Sequence, residues 1–246
     1  PPLRQAARPA RRSGPLTELP LFSARPETPA PGPPRVSVVI VHYRTPDVLA
    51  VCLERLRENL RAVPHEVLVI ANAPLAAQAE DLCSGRQGVV YLRNERNIGF
   101  GRAVNQGLAA GRGEFFLVLN PDVEVLPDSV EELIGQMERA PSAGIVAPKL
   151  LNEDGSLQHS CRTFYTLPVF LLRRTFLGRI LPHSRILREH LMLDYDHRTT
   201  RPVDWCLGAS LLVRRRAVED VGPMDERFFL YFEDVDWCYR MQARGW

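Results

Sequence analysis

Two short stretches carry residue types that could do chemistry on a phosphate-bearing substrate. In Asn120-Pro121-Asp122 a carboxylate follows directly on the apolar run Phe115–Leu119. At the carboxyl end of a buried strand, a carboxylate is placed to hold a divalent cation against a phosphate. Taken alone, an aspartate in an Asn-Pro turn is the better reading, and only the rest of the chain reverses it. The second stretch is Asp225–Arg240, DERFFLYFEDVDWCYR, where Glu233, Asp234 and Asp236 follow the apolar run Phe228–Phe232. Carboxylates at an apolar edge are candidates for raised pKa and for general-base work. Acids favoured at a helix N-terminus by the macrodipole are the other reading, and the residues alone do not separate the two.

The elements that must position these groups read as alternating strands and helices. Phe115–Leu119 lacks helical spacing and suits a strand buried on both faces of a parallel sheet, ended by Pro121 because proline cannot donate to the ladder. Val36–Tyr43 is a β-branched run, and Thr45-Pro46 then reads as N-cap and first helical residue, with Leu49, Cys52, Leu53, Leu56 and Leu60 on one apolar face. Strands follow at Glu66–Ile70 and Val89–Leu92, the former leading into Ala71-Asn72-Ala73-Pro74. In Asn94–Gly107 the glycines Gly99 and Gly101 permit a tight turn or close approach of a ligand, and a small-residue helix continues through Ala103, Val104, Gly107 and Leu108. The spacing is neither GxGxxG nor a P-loop, so a plain loop-to-helix junction stands beside a ligand-facing loop. Asp128 with Glu131 reads as a capping box, Gly144–Leu151 as a strand, and Val203–Val213 as another strand with Gly208-Ala209 small enough for a ligand to approach. Arg214–Val221 is a short helix ended by Gly222-Pro223. The whole pattern indicates βαβ units and a mainly parallel sheet flanked by helices.

Composition bounds the function. The 246 residues suffice for one α/β domain, and a formal charge of +2 implies no nucleic-acid partner. The cysteines, Cys52, Cys83, Cys161, Cys206 and Cys238, form no CxxC pair, which argues against zinc and for a reducing compartment. No apolar run reaches the ~18 residues of a membrane span. Residues 1–34, rich in Pro, Arg and Ala, read as a disordered tail before a domain that starts at Arg35. Pro168–Arg198 mixes apolar residues with Arg173, Arg174, Arg179, Arg185, Arg188 and Arg198. It reads as a basic lid or membrane-surface helix, or as a variable insertion with solvated arginines, which Pro168, Gly178 and Pro182 favour.

Four stretches taken in order resemble the inverting family 2 glycosyltransferases of GT-A fold, and most of all their rhamnosyltransferase-like branch. They are VSVVIVHYRTPDVLAVCL, LRNERNIGFGRAVNQG, FFLVLNPDVEVLPDSVEEL and WCLGASLLVRRRAVEDVGPMDERFFLYFEDVDWCYRMQARGW. The resemblance implies that Tyr43 and Arg44 line the nucleotide base pocket together with Asn72. It implies that Asn97, Gly99 and Asn105 shape the nucleotide-sugar pocket, and that Asn120 and Asp122 stand in the metal motif with Asp122 as the Mg²⁺ or Mn²⁺ ligand. Trp205, Gly208 and Ala209 would border the sugar and the acceptor, and Asp234 would be the catalytic base beside Glu233. The partners implied are a nucleoside-diphosphate sugar, with dTDP-rhamnose foremost, and a cell-surface polysaccharide or lipid-linked glycan acceptor. The expected place is the cytoplasm, or peripherally the inner face of the plasma membrane. Three departures stand out: Asn120 replaces the first metal-motif aspartate, Ala71 an aspartate that reads the base, and the segment with a metal- or diphosphate-binding His is missing, so a chain truncated after Trp246 is expected. The alternative is a non-catalytic nucleotide-sugar-binding module. A nucleotidyltransferase would need a Gly-rich phosphate loop after the first strand, and HYRTPD is not one.

Overall fold

A computed structural model describes residues 32–74, 77–176 and 184–246. Most of the tail expectation, and Arg179, Gly178 and Pro182, therefore lie outside the described residues. The central sheet has the strand order β3-β2-β1-β4-β10-β5. Its parallel half is β1 (Val36–His42), β2 (His65–Ala71), β3 (Val89–Arg93) and β4 (Phe115–Leu119). Beside β4 lies β10 (Ser210–Arg214), antiparallel, and then the two-residue β5 (Ile145–Val146). The expected mainly parallel α/β sheet is therefore present, with an antiparallel pair added on one side.

Every residue of β1 and β4 is buried, which is why β4 reads as an unbroken apolar run and β1 as a β-branched run with only Ser37 and His42 polar. Alternate side chains serve two core layers. Val36, Val38 and Ile40 meet α1 (Pro46–Asn59) and α4 (Ser129–Arg139), while Val39 and Val41 face the layer holding α3 (Phe100–Ala110) and Trp237 of α8 (Glu233–Ala243). The helix α3 can lie this close to β1 because position 107 is glycine: a Cβ there would sit 2.3 Å from Val39 Cγ1. The shorter α2 (Ala77–Cys83) precedes β3, and α7 (Arg215–Val221) follows β10 and ends at Gly222, φ 92°.

At the amino edge of the parallel strands the buried Glu66 gathers a polar cluster. Its carboxylate accepts from Ser37 Oγ (2.7 Å), from the Arg112 backbone N–H (2.6 Å) and from Arg112 Nε and Nη2 (3.0 and 2.8 Å). Ser37 Oγ in turn accepts from Gly113 N–H at 2.7 Å. Burial pushes the Glu66 pKa up, but these donors outweigh it and hold it below the usual range. Glu66→Ala should cost on the order of 3 kcal/mol, since it strands the Ser37 and Arg112 donors. Urea denaturation checks this, and a loss under about 1 kcal/mol would contradict it. The depressed carboxyl contributes stability above its unfolded pKa, lost as pH falls through the folded value.

Four expectations need correction. Gly144–Leu151 is not one strand: Ala147-Pro148-Lys149 separates β5 from β6 (Leu150–Leu151), because Pro148 has no N–H for a ladder. Val203–Val213 is likewise divided at Leu207-Gly208-Ala209, where the chain leaves β9 (Trp205–Cys206) for β10 in another sheet. The capping box does not form, since Asp128 is left-handed at φ 60° and its side chain makes no cap bond. Thr45 likewise gives no side-chain cap; its N–H donates to His42 Nε2 at 3.0 Å. A turn at Asp154-Gly155 joins β6 to β7 (Leu157–Gln158). Pro168–Arg198 contains two short helices among the described residues, α5 (Leu167–Arg174) and α6 (Arg185–His190).

Candidate active site

The carboxyl ends of β1, β2 and β4 share one edge of the sheet, and β10 starts there because it runs the other way. The chain exits β1 through Tyr43 and Arg44, both exposed, with the Arg44 guanidinium 5.4 Å from the Tyr43 ring centroid. Arg44 is left-handed at φ 56°. A cavity of about 210 Å³ opens beside it, lined by His42, Arg44, Pro46, Ala73, Pro74, Gln78 and Ala79. Asn72, just past β2, is buried and holds the next loop: Nδ2 donates to Asn97 Oδ1 (2.9 Å) and to the Gly99 carbonyl (3.1 Å), and Oδ1 accepts from Ile98 N–H (3.0 Å). Asn97 Oδ1 also accepts from Gly99 N–H at 3.0 Å. Gly99 has φ 92°, and a Cβ there would stand 2.8 Å from the Phe229 carbonyl oxygen. The loop NERNIG is therefore fixed from both sides, by Asn72 below and by the Phe229 backbone above. Asn105 is used differently: its side chain exchanges hydrogen bonds with the Met224 backbone (2.8 and 3.0 Å) and donates to Glu226, tying α3 to the segment that precedes α8.

Both acidic stretches reach this edge through backbone contacts. The Asn120 N–H donates to the Ala209 carbonyl at 2.8 Å, and one residue earlier the Gly208 N–H donates to Asp234 Oδ2 at 3.0 Å. Segments around residues 120, 208 and 234 thus meet at the end of β4. Gly208 faces Asp234 closely, since a Cβ on it would lie 3.5 Å from Asp234 Cβ and 3.6 Å from Oδ2. Asp234 Oδ1 accepts from Val235 N–H at 2.8 Å. Burial raises the Asp234 pKa, and the Gly208 and Val235 amides offset part of the rise. Glu233 is pushed up to about 6, mainly by burial and further by the Asp234 charge, and its Oε2 is buried without a hydrogen-bond partner.

Tyr231 and Phe232, immediately before α8, both have positive φ, 70° and 75°. Consecutive left-handed residues that are not glycine store of order 1–3 kcal/mol each and mark a segment held for a reason other than stability. Here they turn the acidic first turn of α8 toward Gly208. Asp122, by contrast, is exposed, and among the described residues its carboxylate accepts no hydrogen bond. No group of three or more His, Cys, Asp or Glu side chains among the described residues is arranged to hold a metal ion.

Several side chains here escaped the sequence. Tyr165 packs between Trp205 (centroids 6.2 Å apart, 21° between planes), Phe232 (5.3 Å) and His190 (4.8 Å). Arg173 Nη1 donates to Tyr165 Oη at 2.8 Å, and Arg174 lies 5.5 Å from the Phe232 centroid. Trp205 itself is buried and spends its indole N–H on the Thr163 carbonyl (2.9 Å), so Tyr165 and Phe232 are the more exposed members of this aromatic layer. The segment 165–176 gave no clear period, and only the mixture of arginine with aromatics hinted at it. His42 had a better signal, as a polar residue near the end of the expected first strand, directly before Tyr43.

Glu233→Gln gives a stability prediction with a defined sign. A carboxyl raised in the folded state favours the fold below its unfolded pKa, and that advantage is lost as pH rises through about 6. At pH 8 the substitution should therefore stabilise by on the order of 2 kcal/mol, and at pH 4 by almost nothing. Thermal unfolding at the two pH values checks it, and an equal shift at both would contradict the buried-charge account.

A mainly parallel sheet gathers a cavity, an exposed strand-end carboxylate and a buried acidic helix start at its carboxyl edge, the place where open α/β folds bind ligands. The profile of glycosyl transferase family 2 matches residues 37–220, and the chain belongs to that family. It is 32% identical over 208 residues to the N-acetylglucosaminyl-diphospho-decaprenol L-rhamnosyltransferase of Mycobacterium tuberculosis, a match covering 79% of this chain and 67% of that protein. It is 26% identical over 219 residues to rhamnosyltransferase WbbL of Escherichia coli, covering 85% of this chain and 78% of that protein. Among solved structures, the mannosyltransferase PcManGT of Pyrobaculum calidifontis, in complex with GDP-Man and Mn²⁺, shares the fold at TM-score 0.57 and 15% identity, over 88% of this chain. The chain spans only 54% of that structure. No helix among the described residues is long and apolar enough to cross a membrane.

Proposed function

We propose that this chain is an inverting glycosyltransferase that moves a sugar, rhamnose foremost, from a nucleoside diphosphate to a hydroxyl of a cell-surface polysaccharide or lipid-linked glycan. The observation that carries the reading is the pair of bonds Asn120 N–H to Ala209 and Gly208 N–H to Asp234, which join the two acidic segments at one sheet edge. The rhamnosyl donor is supported by the names of the mycobacterial and E. coli relatives.

In this reading the base of the nucleotide enters the cavity between His42, Arg44 and Gln78, and the loop fixed by Asn72 and Asn97 supports the sugar. Asp234 takes the proton from the acceptor hydroxyl. Both of its oxygens already accept backbone N–H bonds, yet each has a second lone pair to receive that proton. Its raised pKa makes it a stronger base than a solvated aspartate. The hydroxyl oxygen then attacks the anomeric carbon opposite the diphosphate, one bond forming as the other breaks, so configuration inverts.

Mg²⁺ or Mn²⁺ fits the donor set at Asp122, a hard carboxylate free of hydrogen bonds among the described residues; such ions typically take one or two carboxylates with substrate phosphates and water. When bound there, the cation would neutralise charge on the departing diphosphate. The Tyr165–Trp205–Phe232 layer offers the aromatic face against which an acceptor sugar can stack.

Mass spectrometry of lipid-linked acceptor extract, incubated with the protein and a panel of nucleotide sugars, tests this. A hexose- or deoxyhexose-shifted product from one donor supports the reading and names the sugar. Donor binding without any product supports the binding-module alternative instead.

A further inference from the structure

The cysteines looked scattered in sequence, but two of them meet. β8 (Cys161–Arg162) pairs antiparallel with β9 and sets Cys161 opposite Cys206. The neighbouring Leu207 N–H donates to the Ser160 carbonyl at 3.0 Å, so Cys161 and Cys206 occupy a non-hydrogen-bonded position, where side chains stand nearest. Opposed Cα atoms there are about 4.5 Å apart, inside the disulfide range. The sulfurs are 3.9 Å apart and both are free thiols.

We propose that Cys161 and Cys206 are an oxidisable dithiol, a modification site whose closure to a disulfide restrains the Leu207-Gly208 turn holding Asp234. Cys206 lies two residues before Gly208, whose N–H binds Asp234 Oδ2. Bringing the sulfurs from 3.9 Å to a bond of about 2.05 Å must shift the side chains and strain this short connection.

Cys161 is the attacking sulfur. The Cys206 thiol beside it, Ser160 and the charges of Arg162 and Arg201 hold its pKa down against burial, while Cys206 is raised. Cys238, one helical turn after Asp234, is pushed up to about 12, chiefly by burial, and stays a thiol. Cys161 keeps 8% of its surface, so the oxidant must be as small as hydrogen peroxide. The Cys161 thiolate attacks one peroxide oxygen, the O–O bond breaks, and the second oxygen leaves as water after protonation. The Cys206 thiol then displaces the sulfenic hydroxyl, again as water, so the two sulfurs lose two electrons and peroxide is reduced to two waters.

The coupling to activity rests on the transferase reading; the bond itself does not. The full chain is treated with hydrogen peroxide, remaining thiols are alkylated, and peptides are mapped without reduction. A linked Cys161–Cys206 peptide is expected, absent in both Cys161→Ala and Cys206→Ser and reversed by dithiothreitol. Hydrogen exchange at the Leu207 and Gly208 amides should change on oxidation, and nucleoside diphosphate release should fall roughly tenfold to a hundredfold. Independently alkylated thiols, or a Cys206–Cys238 link, would overturn the site. A linked peptide with unchanged exchange at Gly208 would overturn its coupling to Asp234. Absence of release even before oxidation counts against the transferase reading alone, because mapping and exchange still decide the dithiol.

Discussion

Asp234→Asn should lower kcat by roughly a hundredfold to ten-thousandfold while leaving donor affinity within about twofold. The amide is isosteric and can still accept from one of the two backbone donors, Gly208 or Val235, so the start of α8 stays in place. What it loses is the lone pair able to take a proton and the charge that makes this favourable. The pH profile sharpens the test. In the wild type, kcat/KM should fall toward acid with an apparent pKa above the ordinary aspartate value, because burial raises Asp234. In the variant that limb should disappear with the activity. Stopped-flow or coupled detection of nucleoside diphosphate, with donor affinity by calorimetry, separates the outcomes. A variant with wild-type kcat would move the base elsewhere, and the buried Glu233, whose Oε2 has no hydrogen-bond partner, would be the first place to look.

Asp122→Ala should reduce turnover on the order of a thousandfold, through a different quantity. Asp122 is exposed and accepts no hydrogen bond among the described residues, so its removal costs the fold little. Its loss should weaken metal-dependent donor binding and raise the Mg²⁺ or Mn²⁺ concentration required, whereas Asp234→Asn should do neither. Chelation by EDTA should reproduce the Asp122→Ala defect in the wild type. Metal titrations of donor binding for both variants distinguish the two carboxylates, and a defect identical in kind for both would contradict separate roles.

Much of the parallel half of the fold was legible because local and tertiary requirements agree there. β4 is apolar at every position and β1 at all but Ser37 and His42, since helices cover both faces, and both strands end where the chain must leave the sheet. The antiparallel additions were not legible. Val203–Val213 reads as one strand because Leu207-Gly208-Ala209 differs little in hydropathy from its neighbours, and only long-range pairing reveals two sheets. Asp128 with Glu131 has the composition of a capping box, yet the turn at 126–129 sets Asp128 left-handed and Ser129 Oγ donates to the Leu126 carbonyl instead.

The site divides the same way. Positions at strand ends, such as Tyr43, Asn72 and Asp122, could be placed from the strands alone. Contacts spanning many residues could not: Gly208 with Asp234, Asn105 with Met224, Tyr165 with Phe232 and Cys161 with Cys206 depend on which segments the fold brings together. The arginines of 173 and 174 illustrate the difference, since solvated charges and cation–π partners are indistinguishable until the rings beside them are known.

The measurement that bears most directly on the central claim is nucleoside diphosphate release from a panel of nucleotide sugars with Mg²⁺ and a lipid-linked acceptor extract, run on wild type and Asp234→Asn in parallel. The account predicts release from one donor by the wild type, abolished by EDTA and reduced at least a hundredfold in the variant. Equal release by both proteins, or wild-type binding of a donor that is never turned over, would contradict it.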